Sequence, residues 1–155
     1  MTTLTEGNLA PDFSSKDQDG NLIRLSDLKG GKIILYFYPK DDTPGCTAEA
    51  CSLRDNYSLL KEKGYHIIGV SPDKAGSHHK FIDKYKLPFP LISDSDKVIV
   101  NKYGVWGPKK LFGKAYDGII RTTFVIDENG VIEKIITKVD ATNLDSQIVE
   151  ELGLK

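Results

Sequence analysis

The sequence lacks the features that place a protein in a membrane, on nucleic acid or outside the cell. No apolar run among its 155 residues approaches the roughly 18 that a membrane-spanning helix needs. Its first residues, Met-Thr-Thr-Leu-Thr-Glu, do not have the charged and apolar regions of an export signal. The formal net charge is −1, so no strong field attracts nucleic acid or a membrane surface. We therefore expect a cytoplasmic protein with no membrane and no nucleic-acid partner.

Several common site motifs are also missing. The two cysteines do not form a Cys-x-x-Cys motif, which excludes that type of redox centre and a zinc knuckle. No glycine-rich phosphate loop follows an apolar run. The histidines His66, His78 and His79 lack the spacing of metal ligands, and the adjacent pair lies in a charged helical pattern that predicts solvent exposure. We expect neither a metal nor a cofactor.

Apolar and amphipathic segments alternate regularly along the chain. Apolar runs typical of buried strands span 33–38, 65–71 and 87–92, and helical patterns span 44–63 and 75–85. Residues 93–96 are interpreted as the cap of a further short helix that runs through Tyr103. This alternation predicts an α/β protein with a parallel core sheet and crossover helices. A turn and an alternating segment over 17–25 predict a small N-terminal β-hairpin in front of it.

The C-terminal third carries a different pattern. Residues 104–118 are interpreted as a long loop. Strands are predicted at 119–126 and 131–137 around an Asp-Glu-Asn-Gly turn, and a last helix at 142–152. No linker or repeat interrupts the chain, so we expect a single domain over 1–155.

Cys46 is the strongest candidate for a reactive group. It follows Thr43-Pro44-Gly45, where a threonine N-cap and a proline in the first turn predict the start of a helix. Unpaired backbone N–H groups and the positive end of the helix dipole favour an anion there. We therefore expect the Cys46 thiolate to be stabilised and reactive. The alternative is a buried structural cysteine.

Cys51 lies five residues further along the same predicted helix. In a straight helix the two Cα atoms would be roughly 8.7 Å apart, beyond the ~7 Å limit for a disulfide. The two cysteines could therefore bridge only if the first turns of the helix unwind. Equally, Cys51 could be a core residue, and its spacing does not decide between the two interpretations.

Arg121 is one of only three arginines and interrupts an otherwise uncharged strand pattern. A guanidinium in such a strand needs an anionic partner or water, so Arg121 either faces Cys46 and holds the thiolate or points to solvent. Glu49 lies about one helical turn after Cys46 and could orient this arginine. The alternative for Glu49 is an ordinary acid favoured by the helix dipole.

The segment 36–51 resembles the active-site region of peroxiredoxins. Within it, Pro39-x-x-x-Thr43-x-x-Cys46 is similar to the family's active-site signature. Two cysteines five residues apart are similar to the bacterioferritin-comigratory-protein, or peroxiredoxin Q, subfamily. Further blocks that resemble the family lie at 10–13, 103–107 and 121–127.

The resemblance implies a thioredoxin-like fold, with a mixed central sheet flanked by helices. It implies a thiol peroxidase that reduces hydrogen peroxide and organic hydroperoxides without a metal or cofactor. By position, Cys46 matches the peroxidatic cysteine, which becomes a sulfenic acid, and Cys51 matches the resolving cysteine, which closes an intramolecular disulfide. Thioredoxin or a similar dithiol protein would reduce that disulfide.

Four further residues match the family's site by position. Pro39 matches the residue that shields the thiolate. Thr43 and Arg121 match the groups that bind the thiolate and the peroxide oxygens. Glu49 matches the acid that positions the arginine. The small size of the chain and the subfamily resemblance imply a monomer.

Two other classes of function remain open at this point. One is a disulfide oxidoreductase or redox-sensing module that acts on a protein. The missing Cys-x-x-Cys and the pairing of Thr43 with Arg121, which suits a small oxyanion, speak against it. The other is a non-catalytic binding domain, for which slow labelling of Cys46 by a thiol reagent would be the sign.

Overall fold

The computed structural model describes residues 2–153, apart from the side chain of Leu111. Residues 1, 154 and 155 of the predicted domain lie outside this part of the chain. The strands are β1 Ser14–Lys16, β2 Leu22–Arg24, β3 Lys32–Phe37, β4 Tyr65–Ser71, β5 Leu91–Ser93, β6 Trp106–Leu111, β7 Lys114–Ile119, β8 Thr122–Ile126 and β9 Ile132–Ile136. The helices are α1 Pro44–Asp55, α2 Tyr57–Glu62, α3 Ala75–Tyr85, α4 Val98–Lys102 and α5 Leu144–Leu152.

A five-stranded mixed sheet forms the centre of the fold, in the order β5-β4-β3-β8-β9. Strands β3, β4 and β5 run parallel to one another. Strands β8 and β9 continue the sheet in antiparallel pairing from β3. The five residues of β3 after Lys32 are all buried, as expected for an apolar run covered on both faces. The predicted parallel core and antiparallel C-terminal pair are confirmed.

Alternate side chains of β3 enter two different hydrophobic cores. Ile34 and Tyr36 belong to one core, together with residues of α1, α3 and α5. Ile33 and Leu35 belong to the other, together with residues of α4 and the N-terminal region. This alternation follows from the two-residue period of a strand. The result is a sheet flanked by helices on both faces, and the predicted N-terminal hairpin is present as the antiparallel pair β1–β2.

The helix predicted over 44–63 is divided. It breaks at Asn56, which leaves helical geometry at φ −113° and ψ 16°, and α2 follows. Asparagine is disfavoured in helix interiors because its side chain competes for backbone hydrogen bonds. The longest helix has 12 residues, and among the described residues no helix has both the length and the apolar character to span a membrane.

The interpretation of 104–118 as a loop is wrong. Strands β6 and β7 pair there as an antiparallel hairpin, with Trp106 opposite Ile119. Its turn consists of Phe112 and Gly113, which both have positive φ angles, 52° and 77°. Positive φ at both central residues is typical of the tight turns that join antiparallel strands, but phenylalanine rarely adopts it, so the sequence concealed this turn.

The remaining boundaries shift for local reasons. The apolar run at 87–92 forms a strand only from Leu91 onwards, because Pro88 and Pro90 cannot donate to a ladder. The last helix starts at Leu144 after a 3₁₀ turn at Ala141–Asn143.

Candidate active site

Cys46 lies in the first turn of α1, the helix that follows the central strand β3 in the sequence. The helix begins at Pro44, and Thr43 occupies the N-cap position with an extended backbone (φ −94°, ψ 156°). Cys46 is only 1% exposed and carries a free thiol. The predicted helix start is confirmed, and the sulfur belongs to a turn whose N–H groups lack helical partners.

Arg121 joins this site from the segment between β7 and β8. Its Nη2 donates to Cys46 Sγ at 3.2 Å, and its Nη1 donates to a carboxylate oxygen of Glu49. Partial burial lowers the pKa of Arg121, but pairing with Glu49 and Cys46 outweighs it and raises the pKa overall. A guanidinium that stays charged therefore lies against the sulfur, and Arg121 does not take the solvent-facing alternative.

Gly45 makes room for this contact. A Cβ atom at this position would lie 3.3 Å from Arg121 Nη2, closer than most carbon contacts in proteins. The glycine thus lets the guanidinium cross the start of α1. Sequence reasoning treated Gly45 only as a part of the turn, because the partner that approaches it is 76 positions away along the chain.

Glu49 is fully buried on α1. Burial raises its pKa to about 7, although the Arg121 guanidinium acts in the opposite direction. Its second oxygen, Oε2, has no hydrogen-bond partner among residues 2–153. An ionised Glu49 thus depends on Arg121 for compensation, since a buried charge without a partner is costly. The side chain is not an ordinary exposed first-turn acid.

Thr43 and Pro39 both lie on the segment that joins β3 to α1. The Thr43 hydroxyl donates to the Lys40 carbonyl oxygen at 2.9 Å, rather than to Cys46 Sγ. Pro39 is half-buried, two residues after the end of β3. The structure therefore brings Thr43 to the helix start, as predicted, with its hydroxyl directed to the loop.

Cys51 lies within the same unbroken helix as Cys46, because α1 extends to Asp55. Both thiols are free, and Cys51 is only partly buried. Both cysteines thus lie in one continuous helix, as the sequence predicted. While α1 is intact, the ideal Cα–Cα separation of roughly 8.7 Å keeps them from forming a disulfide.

Two tyrosines, one in β3 and one directly after that strand, form a wall of the buried core around the sulfur. Tyr36 and Tyr38 belong to the same buried cluster as Cys46, and their rings stack at 5.4 Å. Burial, followed by the charges of Glu49 and Cys46, raises the pKa of Tyr36 well above its usual value, so its phenol stays neutral beside the Cys46 sulfur. We did not predict this wall, because in the sequence both residues read as ordinary strand residues.

An open pocket adjoins Arg121, whose side chain forms part of the pocket lining. It has a volume of about 560 Å³ and is lined by apolar and cationic residues, among them Pro108, Lys109, Ile120 and Lys138. Burial and the Arg121 charge lower the pKa of Lys109, and Cys46 acts against them. Lys109, Arg121 and Lys138 give this pocket a cationic lining.

The prediction that both adjacent histidines are solvated is wrong for His78. His78 is fully buried, whereas the side chain of His79 is 54% exposed. On the charged helix α3, His78 points into the protein and makes hydrogen bonds within a buried polar cluster. That inward direction was hidden because its partner, Asp41, belongs to a distant loop.

Comparison with known proteins identifies the family. A model described as the AhpC/TSA family matches residues 7–135. The chain belongs to this family. It is 49% identical over 151 residues to a putative peroxiredoxin bcp of Coxiella burnetii, covering 97% of this chain and 98% of that protein. It is 45% identical over 143 residues to the peroxiredoxin Bcp of Escherichia coli K12, covering 92% of each.

Solved structures show the same relationship. A cysteine-to-serine mutant of Xanthomonas campestris peroxiredoxin Q superimposes with a TM-score of 0.87 and 30% identity, covering 99% of this chain and 98% of that chain. A similar mutant of the Xylella fastidiosa protein gives 0.92 and 26%, with the same coverage. Another Xanthomonas campestris structure, of the bacterioferritin comigratory protein, was solved in a study of its alkyl peroxide reduction activity; it gives 0.87 and 29%, covering 99% and 98%.

These matches confirm the resemblance, the thioredoxin-like fold and the enzyme class expected from the sequence. Peroxiredoxins are thiol peroxidases, so the chain is an enzyme that takes a peroxide as substrate and needs a reductant. A non-catalytic binding domain is thereby disfavoured. The roles of individual residues are a separate question.

Proposed function

We propose that the chain reduces hydrogen peroxide and organic hydroperoxides through Cys46, and that Cys51 resolves the oxidised sulfur. The observation that carries this proposal is the contact of Arg121 Nη2 with Cys46 Sγ at the start of α1. A buried sulfur beside a cation and unpaired N–H groups is stabilised as a thiolate, which is the nucleophilic form. The alkyl peroxide activity of the Xanthomonas relative supports organic substrates.

In the first step, the Cys46 thiolate attacks one oxygen of the peroxide. A new S–O bond forms while the O–O bond breaks, and the departing oxygen leaves as water or an alcohol after it takes up a proton. Arg121 and the N–H groups at the helix start stabilise the charge that develops on the oxygens. In this proposal Thr43 turns its hydroxyl from Lys40 to the peroxide, and Pro39 shields the sulfur from bulk water.

Cys51 then has to reach the sulfenic acid, which requires α1 to unwind. The start of this helix has little stability of its own: the Thr43 side chain makes no capping hydrogen bond, and the first turn contains no acidic residue. Its tertiary anchors include the pair of Arg121 with Glu49 and the contact with the Cys46 sulfur. Oxidation to a neutral sulfenic acid removes the charge that Arg121 faces, so it weakens one of these anchors.

Resolution closes the cycle. The Cys51 sulfur attacks the sulfenic sulfur, and the S–S bond forms with the release of water. A dithiol protein such as thioredoxin then reduces the disulfide by exchange, and α1 can rewind. The cytoplasmic location and the monomeric state stay predictions from the sequence.

Replacing Arg121 with alanine tests the proposed site. We expect the rate constant of the peroxide step to fall about 100- to 1000-fold, because a charged donor to the reacting atoms is lost. The measurement is single-turnover oxidation of the reduced enzyme, followed by mass spectrometry after rapid quenching. Reduction of the preformed disulfide by thioredoxin should change much less.

The matched control is Arg24→Ala, which removes an exposed arginine from β2. It should leave both steps unchanged. If Arg121→Ala slowed recycling more than the peroxide step, Arg121 would not belong to the reacting centre.

Glu49 predicts a pH dependence of the peroxide step. With a pKa of about 7, the carboxyl group is mostly protonated at pH 6 and mostly ionised at pH 8. Only the ionised form pairs fully with Arg121, so the step should accelerate as pH rises. In Glu49→Gln, the part of the increase that is due to Glu49, at most about tenfold from its ionised fraction, should disappear.

This profile is best measured in a Cys51→Ser background, where only the first oxidation occurs. Glu62→Gln, at an exposed position of α2, is the control and should keep the full increase. Identical profiles for Glu49→Gln and the parent would show that Glu49 does not titrate in this range.

A further inference from the structure

A second buried polar cluster lies on the loop that leads into α1. Asp41 is 7% exposed and His78 is fully buried. The His78 ring bridges two elements: Nδ1 lies 2.7 Å from Asp41 Oδ2, and Nε2 lies 2.9 Å from the carbonyl oxygen of Ile92. The function proposed above does not use this cluster.

The hydrogen bonds determine the charge on the ring. The Ile92 carbonyl can only accept, so Nε2 carries a proton. The Asp41 carboxylate already receives hydrogen bonds from the Tyr38 hydroxyl at 2.6 Å and the Ser77 hydroxyl at 2.8 Å, so both of its oxygens act as acceptors. Nδ1 is therefore also a donor, and a histidine that donates from both nitrogens is an imidazolium.

Among residues 2–153, the other titratable side chains that contact this pair include Tyr38 and Asp73. Tyr38, the residue directly after β3, faces the ring, and burial raises the pKa of Tyr38 well above its usual value. Its phenol therefore remains neutral. From the segment before α3, Asp73 accepts from the Asp41 backbone N–H at 2.7 Å and from the Ser71 hydroxyl at 2.9 Å. The imidazolium–carboxylate pair thus lies within a hydrogen-bonded frame.

A metal ion is the other ligand to consider, since donor atoms of Asp41, Asp73 and His78 lie within 4.8 Å of one another. These atoms already take part in the hydrogen bonds just described. The adjacent depression is also lined by Lys74, just before α3, and by Lys80 and Lys84 of α3, and the ammonium groups of these lysines disfavour a cation. The cluster is therefore better explained as a structural link than as a metal site.

A second set of hydrogen bonds, made by Asp42, also holds this loop against α3. Asp42 has a left-handed backbone, with φ 56°, and its carboxylate accepts from Lys84 Nζ at 2.8 Å and from the Tyr85 hydroxyl at 2.9 Å. Adjacent loop residues are therefore held by α3, and the next residue, Thr43, is the N-cap of α1. The position of this loop determines where α1 begins.

We infer that His78 is a positioning residue for the peroxidase reaction: as an imidazolium it holds Asp41, and with it the loop that starts α1, in the wound arrangement in which Arg121 contacts Cys46. This inference rests on the function proposed above. Without the imidazolium the loop is released, and the start of α1 unwinds more readily. The peroxide step becomes slower, because it needs the wound helix, and disulfide formation becomes faster, because it needs the unwound one.

The charge on the ring is tested first, in the unaltered reduced protein, by ¹⁵N NMR of the histidine side chains at neutral pH. Both ring nitrogens of His78 should show the protonated pattern of an imidazolium, and His78→Gln identifies its signals. A single protonated nitrogen would overturn the inference. This result does not depend on Cys46 chemistry, so its failure is separate from failure of the proposed function.

The effect on the reaction is tested with two neutral replacements. His78→Gln reaches towards Ile92 and loses the contact with Asp41, whereas His78→Asn keeps a donor towards Asp41 without the charge. We expect His78→Gln to slow sulfenic acid formation about tenfold, as the loss of a hydrogen bond to a charged group predicts, and to accelerate disulfide formation. His78→Asn should lie between His78→Gln and the parent.

The control is His79→Gln, which changes the exposed neighbour on the same helix and should alter neither step. Hydrogen exchange separates positioning from general loss of stability: in His78→Gln, amides of 40–51 should exchange faster while those of β3 and β4 stay protected. Equal slowing of both steps, or faster exchange throughout the sheet, would show that His78 only supports the fold.

Discussion

Replacing Cys46 with serine should abolish peroxide reduction, with a loss of at least about 1000-fold in the rate of the first oxidation. A serine hydroxyl is not ionised at neutral pH and is a far weaker nucleophile towards oxygen. The replacement is nearly isosteric, so the pair of Arg121 and Glu49 and the packing around the buried side chain should remain. The measurement is peroxide consumption by the reduced protein under single-turnover conditions, with circular dichroism to verify the fold.

This variant keeps Cys51, which serves as an internal control. The remaining thiol is partly buried and five residues away from the Arg121 contact, so it should react with peroxide only slowly. If Cys46→Ser kept substantial peroxidase activity, another group would be the nucleophile. The assignment of Cys46 would then fail, although the family membership would stand.

Replacing Cys51 with serine should have the second large effect, but on a different step. The first oxidation of Cys46 should proceed at a rate within about twofold of the parent, because Cys51 does not touch the reacting atoms while α1 is wound. Steady-state turnover with thioredoxin, its reductase and NADPH should fall at least about 100-fold, since no intramolecular disulfide can form. The protein should stop after one equivalent of peroxide, as a sulfenic acid that excess peroxide converts to a sulfinic acid.

A comparison of single-turnover and steady-state rates in the same preparation checks this prediction. Undiminished turnover in Cys51→Ser would contradict the resolving role, because another thiol would then have to resolve Cys46. A slower first oxidation would contradict the claim that Cys51 acts only after unwinding.

The part of the site that could be predicted from the sequence is the part that depends on local chain geometry. An uncharged strand followed by Thr43, Pro44 and Gly45 is sufficient to place Cys46 in the first turn of a helix, since capping and proline preferences act over a few residues. The parallel core strands and the antiparallel C-terminal pair could be predicted for the same reason, because strand patterns and turn signals also depend on a few neighbouring residues. Arg121 was recognised because a single charge in an apolar segment requires a partner.

The features that escaped prediction depend on contacts between distant segments. His78 is buried because Asp41 and Ile92 receive it, and neither lies near it in the sequence. Gly45 matters because Arg121 crosses it. The hairpin β6–β7 was missed because its turn places Phe112, at φ 52°, in a conformation that its residue type does not suggest.

The two halves of the site suggest why α1 is built as it is. Its start is held from one side by Arg121, through Cys46 and Glu49, and from the other by α3, through Asp41 and Asp42. A helix that is stabilised by such anchors rather than by its own caps can unwind when an anchor changes charge. Oxidation of Cys46 is such a change.

The central claim is that Cys46 and Cys51 form a redox pair within one chain. The most direct test is the intact mass and free-thiol count of the reduced protein before and after one equivalent of hydrogen peroxide. The account predicts the loss of both thiols and of about two mass units, with no dimer formed. A gain of about 16 or 32 mass units with one thiol left, or no change within minutes, would contradict it.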